Sequence, residues 1–144
     1  MQIAMAMENS LRKELLNIWY PQSLDTVYGG FISSYTYDFK PAPNQDKMIV
    51  TQARHTWVNA KATELYPAIA HYKTGAKHGF HFLKDVMGDK IYGGFYTLVD
   101  QKGKVKKNGF AEKEAYGNAF GIYALAAYYK TSGDTAALGL AKRA

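Results

Sequence analysis

The residues best equipped for chemistry gather on one stretch, Lys47-Met-Ile-Val-Thr-Gln-Ala-Arg54-His-Thr-Trp57-Val-Asn-Ala60. Ile49, Ala53, Trp57 and Ala60 recur at three-to-four spacing, which makes one apolar stripe of a helix. Arg54 precedes Trp57 by three residues, so the two side chains share a flank. A guanidinium is always charged and presents a rigid fork of donors to oxygen. If buried, it needs an acidic or oxygen-rich partner. Arg54 is therefore either a structural or solvated cation or a residue with a dedicated chemical role.

An internal repeat separates those readings. Asp25-Thr-Val-Tyr28-Gly29-Gly30-Phe31 returns 64 residues later as Asp89-Lys-Ile-Tyr92-Gly93-Gly94-Phe95. The stretch 47–60 returns 66 residues later, with Lys47 on Lys113, Gln52 on Asn118, Ala53 on Ala119, Trp57 on Tyr123 and Ala60 on Ala126. Arg54 falls on Phe120. The scaffold is repeated and the charge is not, which favours a dedicated role for Arg54. The period exceeds that of the common solenoids and predicts two helices plus a hairpin per unit.

Around these positions the elements follow in order. Residues 8–20 predict an amphipathic helix with Leu11, Leu15, Ile18 and Trp19 on one side, capped by Asn9 or Ser10 and stopped by Pro21. Gly29-Gly30 signals a turn, and Phe31, Ser33, Tyr35 and Tyr37 alternate as in a short strand. Helices are predicted over 46–65, 68–86 and 110–131, with a strand through Tyr96, Leu98 and Asp100 before the last of them. The helix at 110–131 is apolar almost all round and is expected to be buried on most sides. Asp134 opens a further helix with no glycine stop, whose apolar face predicts a longer protein or self-association through the open helical face.

Composition narrows the classes. The 144 residues can form one domain with a real core, and twelve tyrosines suit surfaces that bind sugars or peptides. The net charge of +6 owes much to Lys102-Gly-Lys104-Val-Lys106-Lys107, a solvated loop rather than a nucleic-acid site, since no nucleic-acid motif accompanies it. There is no cysteine, which removes disulfide, thiolate and zinc-cysteine chemistry and fits a cytoplasmic location. Met1 to Met7 lacks the features of a signal peptide, and no apolar run reaches membrane-spanning length. His78 and His81 are three apart without a third ligand, so no metal is expected.

Several motifs stand in a fixed order: Gly-Gly-Phe; Gln52-Ala-Arg-x-x-Trp57; Gly79-x-x-Phe-Leu83; Gly93-Gly-Phe-Tyr-x-x-Val-Asp100; Lys113-x-x-Tyr-x-Asn-Ala-Phe-x-Ile-Tyr-Ala-Leu-Ala126. That order resembles the amino-terminal part of the N-acylglucosamine 2-epimerase family, which includes cellobiose and mannobiose 2-epimerases and mannose isomerases. The resemblance runs from about Leu11 to Arg143. It implies a mainly α fold, part of an (α/α)6 barrel of helical hairpins with short β-hairpins at one end. It also implies proton transfer at C2 of an open-chain mono- or disaccharide through an enediolate, with no cofactor. Under it Arg54 is the catalytic cation facing the enediolate oxygen. Trp57, Tyr96, Tyr116 and Asn118 are the substrate-binding residues. The family's acid and base are histidines of later helices, and His55, His71, His78 and His81 match none of them. A non-catalytic carbohydrate-binding module and a helical-repeat interaction segment stay open beside the enzyme.

Overall fold

The glycine pairs of the repeat explain how each unit begins. In the computed structural model, which describes residues 2–20, 22–107 and 112–144, Gly29, Gly30, Gly93 and Gly94 all have φ between 69° and 81°. Two consecutive left-handed residues are open to glycine and costly for anything with a Cβ. Each pair turns the chain back on itself, so that Leu24 bridges Phe31 and Gly88 bridges Phe95.

Helices carry the rest. Helix α1 (Gln2–Asn9) runs through a π-helical stretch (Ser10–Leu16) into the short α2 (Asn17–Trp19). Strand β1 (Lys47–Met48) leads into α3 (Ile49–Leu65), and α4 (Ala70–Phe82) continues as a π-helical stretch to Met87. Strand β2 (Leu98–Val99) precedes α5 (Ala115–Ser132) and α6 (Thr135–Ala141). Asp134 caps α6 by accepting from the Ala136 N–H at 2.9 Å, and Gly133 closes α5 at φ 70°.

Helices α3 and α5 lie side by side, and α4 and α6 back onto them. Arg54 faces Phe120 and, one turn on, Trp57 faces Tyr123. These two residues of α3 meet their own repeat-mates in the same order along both helices, which requires the helices to run parallel. Two apolar clusters result. One joins Ile49, Ala53 and Ala60 of α3 to Phe80, Leu83, Phe95 and Leu125. The other joins Leu16 and Tyr20 to Phe31, Ala62 and Tyr72. No helix of the described residues is long and apolar enough to cross a membrane.

The structure departs from expectation in four places. The first helix begins at Gln2 instead of residue 8, so Asn9 and Ser10 sit within a helix and cap nothing. The alternating residues 31–37 form no strand. Their backbone is held partly by side chains, with the Gln45 Oε1 accepting from Ser33 N–H, and partly by isolated backbone bonds such as Ile32 N–H to the Ser23 carbonyl. The one two-stranded sheet pairs Lys47 with Val99 and Met48 with Leu98, and so ties one unit to the next. Helix α5 is not buried on most sides: Tyr116 is 62%, Ile122 38% and Tyr123 51% exposed. Pro21 and the expected helix start at 110 lie outside the described residues.

Gly30 gives a direct test of the turn. A Cβ there would lie 2.5 Å from the Gln52 Oε1 and 2.8 Å from the Phe82 ring, at positive φ. Gly30→Ala is expected to cost about 1–3 kcal/mol of stability, read as a shift of the urea midpoint at unchanged slope. Wild-type stability would show that the turn is not held this tightly.

Candidate functional site

Two matching locks position the helices that carry the site. In the first, the Lys47 ammonium donates to the Asp25 Oδ2 at 2.6 Å and to the Gly29 carbonyl. Asp25 Oδ1 in turn accepts from the Val27 and Tyr28 N–H groups at 3.0 and 2.9 Å. In the second, Lys113 donates to Asp89 and to the Gly93 carbonyl, and Asp89 accepts from Ile91 and Tyr92. A carboxamide completes each lock: the Gln52 Oε1 accepts from Phe31 N–H at 2.7 Å, and the Asn118 Oδ1 from Phe95 N–H at 2.8 Å.

The two locks differ in burial. The side chains of Lys47 and Asp25 are 0% and 5% exposed, whereas that of Lys113 is 28% exposed. Burial alone would raise the Asp25 carboxyl, but hydrogen bonds from Lys47 and Tyr28 hold it below its usual range. Burial lowers the Lys47 ammonium, partly offset by Asp25. The hydrogen bond from Lys113, with those from Tyr92 and Ile91, brings Asp89 down to about 2.

Above this scaffold the α3–α5 pair presents a row of side chains. The Arg54 guanidinium lies 4.7 Å from the centre of the Phe120 ring, a cation–π contact. Tyr116 meets the edge of the same ring at 5.0 Å and 71°. One turn further, Trp57 stacks on Tyr123 at 5.2 Å and 17°. Arg54 is exposed, and among the described residues it has no carboxylate within ion-pairing distance. The structural ion pair that the sequence left open is thus absent among those residues. What holds the guanidinium is an aromatic face, which leaves its donors free.

The remaining expected site residues divide. Tyr96 is half-buried, with its ring 5.5 Å from the Lys113 ammonium. Asn118 is engaged elsewhere: its Oδ1 holds Phe95 and its Nδ2 donates to the Glu114 carbonyl at 2.8 Å. Its repeat-mate Gln52 does the same job, so the repeat already carried the signal that Asn118 is structural.

A cavity of about 580 Å³ opens on the other flank of α3, bordered by Thr51, Arg54, His55 and Val58 and faced by Leu15 and Trp19. At its floor the Tyr20 hydroxyl and His55 Nδ1 are 2.7 Å apart, and the His55 ring stacks on Phe31 at 4.8 Å and 19°. Nothing in the sequence pointed to this pair, because Tyr20 and His55 are 35 residues apart with no shared motif. Burial lowers His55 to about 4 and raises the Tyr20 hydroxyl. His78 Nε2 lies 2.7 Å from the Gly30 carbonyl, and His81 Nδ1 lies 3.5 Å from Asp85. Both are helical, and neither faces the Arg54 row.

His55 carries a pH prediction. Its folded value is depressed below the unfolded value of about 6.5, so the unfolded chain binds the proton first. Its contribution to stability is full above about pH 6.5 and is lost as pH falls towards 4. Imidazole NMR shifts should show His55 neutral at pH 5.5. Titration near 6.5 would contradict its burial.

Comparison with known proteins follows the same lines. Residues 30–144 match the model of the family described as N-acylglucosamine 2-epimerase (GlcNAc 2-epimerase). A cellobiose 2-epimerase of Ruminococcus albus is 33% identical over 142 residues, which are 95% of this chain and 35% of that protein. One of Dictyoglomus turgidum is 33% identical over 134 residues, 91% of this chain and 32% of that protein. Among solved structures, the cellobiose 2-epimerase of Spirochaeta thermophila superposes with a TM-score of 0.85 at 33% identity, over 98% of this chain and 34% of that one. A D-mannose isomerase gives 0.78 at 25% identity, over 94% and 33%. The chain thus spans about a third of the length of the relatives it matches, and its fold is part of an (α/α)6 barrel.

Proposed function

Because the chain belongs to the N-acylglucosamine 2-epimerase family, we propose that it supplies the arginine-bearing wall of a site for sugar 2-epimerisation or aldose–ketose isomerisation. The single observation that carries this is Arg54, an exposed cation at a position where the repeat-mate is Phe120. The reaction removes the proton at C2 of an open-chain sugar and returns it to carbon. Negative charge then builds on the neighbouring oxygens, and a fixed fork of donors stabilises it. Phe120 supports the guanidinium through its ring without neutralising it.

In this reading Tyr116 and Trp57 flank the sugar from α5 and α3, and Tyr96 approaches from the strand side. Asn118 acts at one remove, by holding the turn at Phe95. His55 borders the cavity beside Arg54 but is engaged with the Tyr20 hydroxyl, and this reading takes the acid and base from outside this segment. The segment alone therefore binds sugar without turning it over. A cytoplasmic setting belongs to the same reading and suits a chain without cysteine.

The test uses a complete protein that contains this segment. Cellobiose, mannobiose, mannose and N-acetylmannosamine are each incubated with it in D2O and followed by proton NMR. Deuterium entering at C2 of an epimer, or at C1 of a ketose, is the expected result for at least one. Epimer formed without deuterium at C2 and ketose formed without deuterium at C1, or no exchange in any, overturns the proton-transfer reading.

A further inference from the structure

Helix α4 covers one side of α3, where Asn59 and Thr56 leave no room for a Cβ on Gly75 or Gly79. At about 3.6 residues per turn, Val50, Arg54 and Trp57 lie on the opposite side of α3 from Thr56 and Asn59. The same count places their repeat-mates Tyr116, Phe120 and Tyr123 together on one side of α5. Helices α4 and α6 back onto this pair from outside. The double row therefore faces the interior of the barrel, between the flanks along which inner helices pack.

The row is filled below Arg54. Trp57 stacks on Tyr123 at 5.2 Å. Further down, Glu64 pairs with its own repeat-mate Lys130 at 3.4 Å and with Lys61 at 2.8 Å. Above Arg54, toward the amino-terminal ends, the two helices differ. One turn above Phe120 stands Tyr116, whose ring meets the Phe120 ring. One turn above Arg54 stands Val50, half-buried and packed against the core. An aromatic ring covers the one position, and a valine leaves the other exposed.

We propose that Val50 is a specificity-determining residue, whose small side chain makes room for a second sugar ring behind the one that reacts, so that the site takes disaccharide aldoses. The inference rests on the reading of Arg54 given above. With C1 and C2 of the reducing sugar at the guanidinium, the Trp57–Tyr123 stack bars the way down. The rest of the molecule then extends upward past Val50. One helical turn is about 5.4 Å, comparable to the length of a sugar residue, so Val50 stands where the linkage to the second ring passes. A monosaccharide ends before that point. Tyrosine in this place, as the second unit has at Tyr116, narrows the passage against a disaccharide and spares a monosaccharide. The valine is the only change in the row, besides Arg54 itself, that replaces an aromatic of the second unit by a smaller or open position near the reacting end.

The test uses Val50→Tyr in a complete protein that contains this segment, with Val50→Thr as the variant of matched shape. Binding is measured by calorimetry with cellobiitol and mannitol, which have no carbonyl and cannot react. The wild type and Val50→Thr should bind both, cellobiitol at least as tightly as mannitol. Val50→Tyr should weaken cellobiitol by about tenfold or more, since a misfit of even one methylene in a pocket is worth about that much, and should leave mannitol nearly unchanged. The melting temperature should stay at the wild-type value, because the second unit already carries a tyrosine at this position. Val50→Leu stands in if Val50→Tyr does not fold, with the same direction and a smaller effect. Equal weakening of both alditols, or of neither, overturns the inference, and so does a wild type that binds mannitol but not cellobiitol. Discrimination between the alditols in a protein that incorporates no deuterium sustains this inference and overturns the proton-transfer reading. Deuterium incorporation in a protein whose folded Val50→Tyr variant treats both alditols alike does the reverse.

Discussion

Arg54→Ala, made in a complete protein that contains this segment, lowers kcat for epimerisation or isomerisation by about 10²–10³. The melting temperature should stay within about 2 °C, since an exposed substitution away from caps and core usually changes stability by less than about 0.5 kcal/mol. Three observations set that expectation. The equivalent position in the second unit is Phe120, so the fold does not require a cation there. The guanidinium has an aromatic neighbour and no carboxylate among the described residues, so removing it strands no buried charge. Charge that develops on the enediolate oxygen must meet a donor already in place. Arg54→Lys should recover part of the rate, because an ammonium supplies charge without the fork. Rate loss that only follows unfolding, or near-normal turnover, would reduce Arg54 to a surface residue.

Lys47→Ala acts on stability instead. It leaves Asp25 buried without its ammonium, and breaking a buried pair from one side costs about 3–5 kcal/mol. For a chain of this length that lowers the melting temperature by roughly 10 °C or more. Lys113→Ala is the internal comparison. It breaks the same hydrogen bonds where the lysine is partly open to water, so its effect should be clearly smaller. Asp25→Asn combined with Lys47→Met keeps an acceptor for Val27 and Tyr28 while removing both charges, and should restore part of the loss. Equal destabilisation by the two lysine variants would mean that burial does not set the value of the lock.

The acid side follows from the same carboxylates. Both have folded values below the unfolded one, so their contribution is present above about pH 4 and disappears as pH falls through the folded values. His55 has already withdrawn its share between about 6.5 and 4. Acid unfolding should therefore proceed in two stages, the first removed by His55→Phe.

The repeat made much of this architecture legible. Ile49, Ala53 and Ala60 read as one stripe and form the packed flank of α3, and Asp134 and Gly88 mark a helix start and stop as their chemistry requires. The Asp–Lys locks were also present in the letters, since Asp25 and Lys47 recur together as Asp89 and Lys113. Their pairing could not be read, because a separation of 22 residues belongs to no helical or strand period. Residues 31–37 misled for a related reason. Their alternation matches a strand, but Gln52 and Gln45 take the Phe31 and Ser33 N–H groups, and the remaining backbone bonds form only isolated bridges. Phe120 as the support of Arg54, and Tyr20 beside His55, arise from tertiary packing alone.

The parallel setting of α3 and α5 has an electrostatic consequence. Antiparallel neighbours largely cancel their backbone dipoles, but these two add. Both amino-terminal ends carry positive partial charge of roughly half an elementary unit each, and both open at the end where the Asp25 and Asp89 turns sit. Those carboxylates are tied to lysines, so they do not neutralise the helix ends outright. Val50 and Tyr116 lie in the first turns of the two helices and Arg54 lies one turn deeper, so an anion entering from that end meets the positive potential of the two helix ends, beside the paired lysines, before it meets Arg54. Binding of a small oxyanion at this mouth should weaken with added salt even in a variant that lacks Arg54, because the backbone that generates the field cannot be substituted away.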